Sequence, residues 1–136
     1  MRRIMDLLKA AGIEIIYMHI KKNGYYDPIL KILFINVNLS DMETKKTIMH
    51  EAGHGVLHDE LYPLYKMTVP HSKMESEADK FMIDNLLLEY MNLYSLSPEE
   101  VDYMKFMDHY EIDYTYESYL RTLLMNPKMD TYLKII

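Results

Sequence analysis

The sequence predicts an α+β domain: an N-terminal helix, a small antiparallel sheet, a long helix carrying the candidate chemistry, and about three further helices. Three observations predict it. Apolar residues recur at helical spacing over 2–11. Two β-branched runs follow, at 13–20 and 30–37. From there serine-x-x-glutamate signals at Ser40, Ser72 and Ser97 announce helix starts. The 136 residues suffice for one core but are short for two, so 1–136 reads as a single domain.

Each element has its own signal. Ile4, Leu7, Leu8 and Ala11 form the apolar stripe of the first helix, and Gly12 is a natural stop. Residues 13–20 read as a strand, 21–24 as a turn in which Asn23-Gly24 is a hairpin signal, and 30–37 as a second strand. Tyr25 and Tyr26 begin a short strand between them, before Pro28. Ser40 with Glu43 opens a helix over 41–58, and a loop with prolines at 63 and 70 spans 59–71. Ser72 with Glu75 opens the next helix, to about 92, and Ser97-Pro98 another, to Tyr110. Thr115 caps a last helix through Leu124, ending near Asn126-Pro127.

Composition excludes several classes. A net charge of −6 argues against a nucleic-acid-binding surface. No apolar run approaches the length of a membrane span. Asp6 and Lys9 break the N-terminal apolar stretch, which reads as an amphipathic helix and not a signal peptide. With no cysteine there is no disulfide, no thiolate metal site and no thiol nucleophile, and an intracellular location fits. The thirteen methionines and thirteen tyrosines read mainly as core filling.

The chemistry concentrates in His50-Glu51-Ala52-Gly53-His54, an H-E-x-x-H sequence inside the 41–58 helix. Residues i and i+4 lie one turn apart on one helix face, so both imidazoles can meet one tetrahedral zinc ion. Glu51, offset by about 100°, points beside the metal, where it can take a proton from an attacking water and pass it to a leaving amine. That makes the helix zincin-like. Gly53 and Gly55 break helix propensity within one turn, as expected where the neighbouring sheet or a substrate backbone comes close.

A catalytic zinc site needs a third protein ligand. Positions i and i+8 are about 12 Å apart along a helix, so His58 reads as a helix-end residue or a support for a ligand. The better source is an acid on the next helix. Glu75 and Asp79 share a face, so if Glu75 binds metal, Asp79 can hold a ligating imidazole in one tautomer. That pairing favours Glu75 over Glu77, which stays the alternative. Glu75 could equally be the capping acid of Ser72.

The stretch from His50 to His58, with Glu75-Ser76-Glu77-Ala78-Asp79-Lys80-Phe81 and Leu86-Leu87-Leu88, resembles the ImmA/IrrE family of zinc metallopeptidases. The strand 34–39 leading into the helix matches too, and the resemblance covers roughly residues 5–90. It implies one zinc ion held by His50, His54 and Glu75, with Glu51 as general base. Met82 and Glu89 stand where the family usually has alanine and proline, which implies a longer or differently packed second helix. The resemblance further implies a cytoplasmic protein of bacterial, phage or mobile-element origin. Its substrate would be a separate protein, a helix-turn-helix transcriptional repressor, with no direct contact to nucleic acid or membrane. In related zinc peptidases the substrate adds as an edge strand beside the active-site helix, and strand 30–37 is one position for that edge. The alternative is a non-catalytic or weakly catalytic zinc-binding regulator that sequesters a transcription factor. Glu51 speaks against that alternative, because sequestration has no use for it.

Overall fold

The computed structural model describes residues 1–58, 68–126 and 129. Its elements are α1 (Arg2–Ala10), β1 (Glu14–Met18), β2 (Gly24–Asp27), β3 (Ile32–Asn36), α2 (Asp41–Leu57), α3 (Thr68–Tyr94), α4 (Tyr103–Tyr110) and α5 (Glu117–Met125), with 3-10 turns at Pro98–Glu100 and Tyr114–Tyr116. This is the α+β order that the sequence predicts. The chain divides into two compact units, Met1–Met82 and Ile83–Ile136, with the boundary inside α3.

In the first unit, α1 ends where Gly12 adopts φ 73°, a conformation that costs glycine nothing. The sheet has the order β1-β3-β2. It is mixed, not antiparallel: β1 runs parallel to β3, Glu14 opposite Ile32 through Met18 opposite Asn36, while β2 pairs antiparallel with β3. The hairpin therefore lies after β2 and not at Asn23-Gly24. Asp27 Oδ1 accepts the amides of Ile29 at 2.9 Å and Leu30 at 3.1 Å, and Lys31 takes the left-handed φ of 54°. That is an aspartate-nucleated turn. Gly24 serves packing instead: a Cβ there would come within 2.7 Å of both the Phe34 carbonyl oxygen and Thr47 Cγ2. Leu33 and Ile35 are fully buried, as are Ile48, Met49 and Ala52 of α2 and Ile4 and Leu8 of α1, so helices and sheet share one core.

In the second unit, Ile83, Leu86, Leu87, Phe106, Met107, Tyr110 and Leu120 are buried. The Tyr110 hydroxyl donates to Glu89 Oε2 at 3.0 Å and that of Tyr119 to Asp84 Oδ1 at 2.5 Å.

Three helix starts differ from expectation. The loop expected over 59–71 lies mostly outside the described residues, and at Thr68 the chain is already helical. Pro70 falls in the first turn of α3, where a missing amide loses no helical hydrogen bond. Ser72 thus sits inside α3 and does not cap it. The helix expected over 97–110 is split: Glu100 accepts the Ser97 amide at 3.0 Å, but Val101 is extended and Asp102 caps α4 anew through the amides of Met104 and Lys105. A cap within a run competes with helix continuation. Thr115 does not cap α5, whose N-cap is Tyr116; it lies in the preceding 3-10 turn, which Asp113 caps by accepting the Thr115 amide at 2.9 Å.

Candidate metal centre

The centre is built on the second half of α2. Ser40 caps this helix by accepting the Glu43 amide at 3.2 Å, with Asp41 and Glu43 favourably placed in the first turn. The helix then runs unbroken through His50, Glu51 and His54 to Leu57. His54 and His58 are buried.

The two helical glycines answer to two neighbours. A Cβ on Gly53 would lie 3.1 Å from Ala78 Cα and 3.2 Å from Phe81 Cβ, both on α3. On Gly55 it would lie 2.7 Å from Ile13 Cδ1, beside the sheet. Gly53 therefore lets α3 approach α2 closely, and that approach brings the acids of α3 to the histidines.

Glu75 faces both imidazoles: its Oε2 is 2.8 Å from His50 Nε2 and its Oε1 3.1 Å from His54 Nε2. The three residues offer ligand atoms all within 4.8 Å of one another. Two imidazole nitrogens and a carboxylate are the donors of a catalytic zinc site, whose bonds of about 2.0–2.2 Å place neighbouring donors roughly 3.3 Å apart. The residues present fit the ion. Asp79 Oδ1 lies 2.7 Å from His50 Nδ1 and accepts that proton, so Nε2 is the nitrogen turned to Glu75, able to ligate once its own proton gives way to an ion.

Glu77 lies elsewhere: its Oε2 is 3.0 Å from His58 Nε2, and His58 Nδ1 is 3.0 Å from His54 Nδ1. His58 thus lies behind His54, on the side away from Glu75. Because Ser72 is inside α3, the alternative of Glu75 as its capping acid falls away.

The electrostatics match this donor set. Burial opposes charge on His50, but hydrogen bonds to Asp79 and Glu75, with Glu51 close by, outweigh it and raise its pKa to about 10. The surroundings demand a positive charge there, which a proton supplies in the metal-free chain and a divalent cation can replace. Burial lowers the pKa of His54, with Glu75 opposing, so this imidazole is neutral as a ligand must be. Glu51 is pushed up to about 7 by burial; His50 pulls the other way and Glu75 adds to the rise. A carboxyl poised near neutrality can both take and return a proton.

Sequence reasoning missed the backbone of β2. Asn36 N–H donates to the Asn23 carbonyl at 2.8 Å, so the next rung joins Tyr25 to Phe34. The polar groups of Gly24 and Tyr26 then face away from β3. The Tyr26 amide points to Glu51 and holds its carboxylate. Gly24, Lys46, His50 and Glu51 all line one cavity of about 260 Å³. β3 is the central strand and offers no free edge, contrary to the expectation at 30–37, whereas β2 is an edge strand. Lys46, one turn before His50, was a readable signal, since i and i+4 share a face.

No helix among the described residues is long and apolar enough to cross a membrane. Residues 8–121 match the family model described as Peptidase M78, the IrrE N-terminal-like domain. That match extends past the stretch in which the sequence resemblance was read, into α5. α3 also continues through Glu89 to Tyr94, in keeping with the longer helix that the departures at Met82 and Glu89 imply. A search of curated proteins found no significant match. With the family model covering most of the chain and a His-His-Glu group in place, the chain belongs to the Peptidase M78 family and carries a metallopeptidase-like domain.

Proposed function

We propose that this protein is a zinc-dependent endopeptidase that cleaves a separate protein, a helix-turn-helix transcriptional repressor. The observation that carries the peptidase reading is the placement of Glu51. It lies on the same helix as His50 and His54, lines one cavity with His50, and has its pKa raised to about 7. His50, His54 and Glu75 would hold the ion. A zinc ion so held supplies Lewis acidity toward a carbonyl and toward water. Asp79 keeps His50 in the ligating tautomer. Glu51 takes the proton of the attacking water and returns it to the leaving amine. The outward groups of Gly24 and Tyr26 favour a substrate strand laid along β2, where the scissile bond comes beside Glu51. The repressor as substrate rests on the family resemblance.

The test is incubation of the purified chain with zinc and a candidate repressor, with and without chelator. Cleavage that chelator stops, and that Glu51→Gln abolishes while zinc stays bound, is the expected result. Binding without cleavage would instead favour sequestration, and full cleavage by Glu51→Gln would overturn the mechanism.

A further inference from the structure

The two histidines that face Glu75 are held from behind in different ways. His50 Nδ1 meets a carboxylate directly, at Asp79. His54 Nδ1 meets a third imidazole, His58 Nδ1, at 3.0 Å. The far nitrogen of that ring, Nε2, lies 3.0 Å from Glu77 Oε2. The His54 and His58 side chains are 5% and 3% exposed, so both are shielded from exchange of partners with water.

We infer that His58 and Glu77 form a positioning relay that fixes His54 in the metal-ligating tautomer, by the hydrogen-bond chain His54 Nδ1–H to His58 Nδ1 and His58 Nε2–H to Glu77. This rests on the reading of His54 as a metal ligand. A carboxylate only accepts, so His58 Nε2 carries the proton facing Glu77. In a neutral imidazole the other nitrogen is then an acceptor, and His54 Nδ1 must donate to it. That assigns the ligating lone pair to His54 Nε2, the atom 3.1 Å from Glu75 Oε1, with the ion to be held between the two. One carboxylate thus sets the tautomer of a ligand two rings away, as Asp79 sets that of His50 across one contact. The third histidine of the sequence motif and the second glutamate of α3 have a common task in this chain. It also accounts for the spacing of four between His54 and His58: with His58 at the C-cap of α2, one turn beyond His54, their rings lie 5.2 Å between centroids and meet through their Nδ1 atoms.

The experiment measures zinc affinity of the full chain by competition with a chromophoric chelator. Long-range ¹H–¹⁵N correlation spectra read the His54 tautomer in the same samples. His58→Phe, which keeps a ring but accepts no hydrogen bond, should bind zinc about 10–100-fold more weakly. His58→Gln should recover part of that loss, since its amide oxygen accepts from His54 and its amide N–H donates to Glu77. Because His58 is buried, Glu77→Ala provides a second route: the Glu77 side chain is 42% exposed, so its removal opens no core cavity. It should weaken zinc binding by about tenfold and broaden or shift the His54 Nδ1–H signal, with the metal-free melting temperature unchanged. Wild-type zinc affinity and an unaltered His54 tautomer in both His58→Phe and Glu77→Ala would overturn the relay. None of these readouts needs turnover. A chain with relay-dependent zinc binding that cleaves no protein would sink the peptidase reading alone, and cleavage with relay-independent zinc binding would sink the relay alone.

Discussion

The two compact units follow different rules. The first places two glycines in one turn of a helix, buries two histidines, and surrounds His50 with Glu51, Glu75 and Asp79. The second buries an apolar and aromatic set, and its Tyr110 and Tyr119 hydroxyls each reach a carboxylate. Local propensity and patterning largely agree in the second unit, where Asp84 and Asn85 are the buried polar residues among those described. In the first they are broken around the candidate centre, where a function offsets the cost. The contrast teaches where substitution should change stability and where it should change chemistry.

The largest separation should come from Glu51→Gln, which removes the proton carrier while preserving shape. Cleavage should fall by about 10²–10⁴-fold, as followed by gel or mass spectrometry, with the melting temperature nearly unchanged. In the second unit, Phe106→Ala should do the reverse. It empties a fully buried site and should cost about 3–5 kcal/mol in denaturant unfolding, while the zinc affinity of the folded protein stays the same. A large affinity loss there would show that the units are not separable in this way. The smallest effect, and the sharpest, is Gly53→Ala. The added methyl meets the Ala78 backbone at 3.1 Å, and overpacking costs about 1–3 kcal/mol. Alanine regains about 1 kcal/mol of helix propensity. Global stability should therefore change little, while the displaced α3 weakens zinc binding by roughly tenfold, about 1.4 kcal/mol. Titration calorimetry beside a thermal melt would distinguish the two.

Sequence and structure agree most where geometry is local. His50, Glu51 and His54 were readable because i, i+1 and i+4 on a helix have fixed relations whatever surrounds them. Asp79 was readable as the partner of His50 only on condition that Glu75 faces the metal. The choice between Glu75 and Glu77 depends on the rotation of α3 against α2, which the contact at Gly53 sets and no single helix encodes. The sheet illustrates the same limit. Residues 13–20 and 30–37 read as strands from β-branched content, but period-two patterning names neither a partner nor a direction, so β1 came out parallel to β3. Gly24 reads as a turn residue in the sequence, and only the crowding by Phe34 and Thr47 shows why it is there. Ser72 and Glu75 matched a cap in spacing, yet helix begins at Thr68, and spacing alone carries no information about an earlier start.

The peptidase reading stands on His50, His54 and Glu75 together holding one zinc ion. The most direct measurement is equilibrium zinc affinity and stoichiometry, by competition titration and native mass spectrometry, for the wild-type chain and Glu75→Ala. One ion per wild-type chain, and affinity at least about 100-fold weaker in Glu75→Ala, is the predicted result, since one of three protein ligands is gone. Unchanged zinc content in Glu75→Ala would contradict the account and move the third ligand to another acid, Glu77 first.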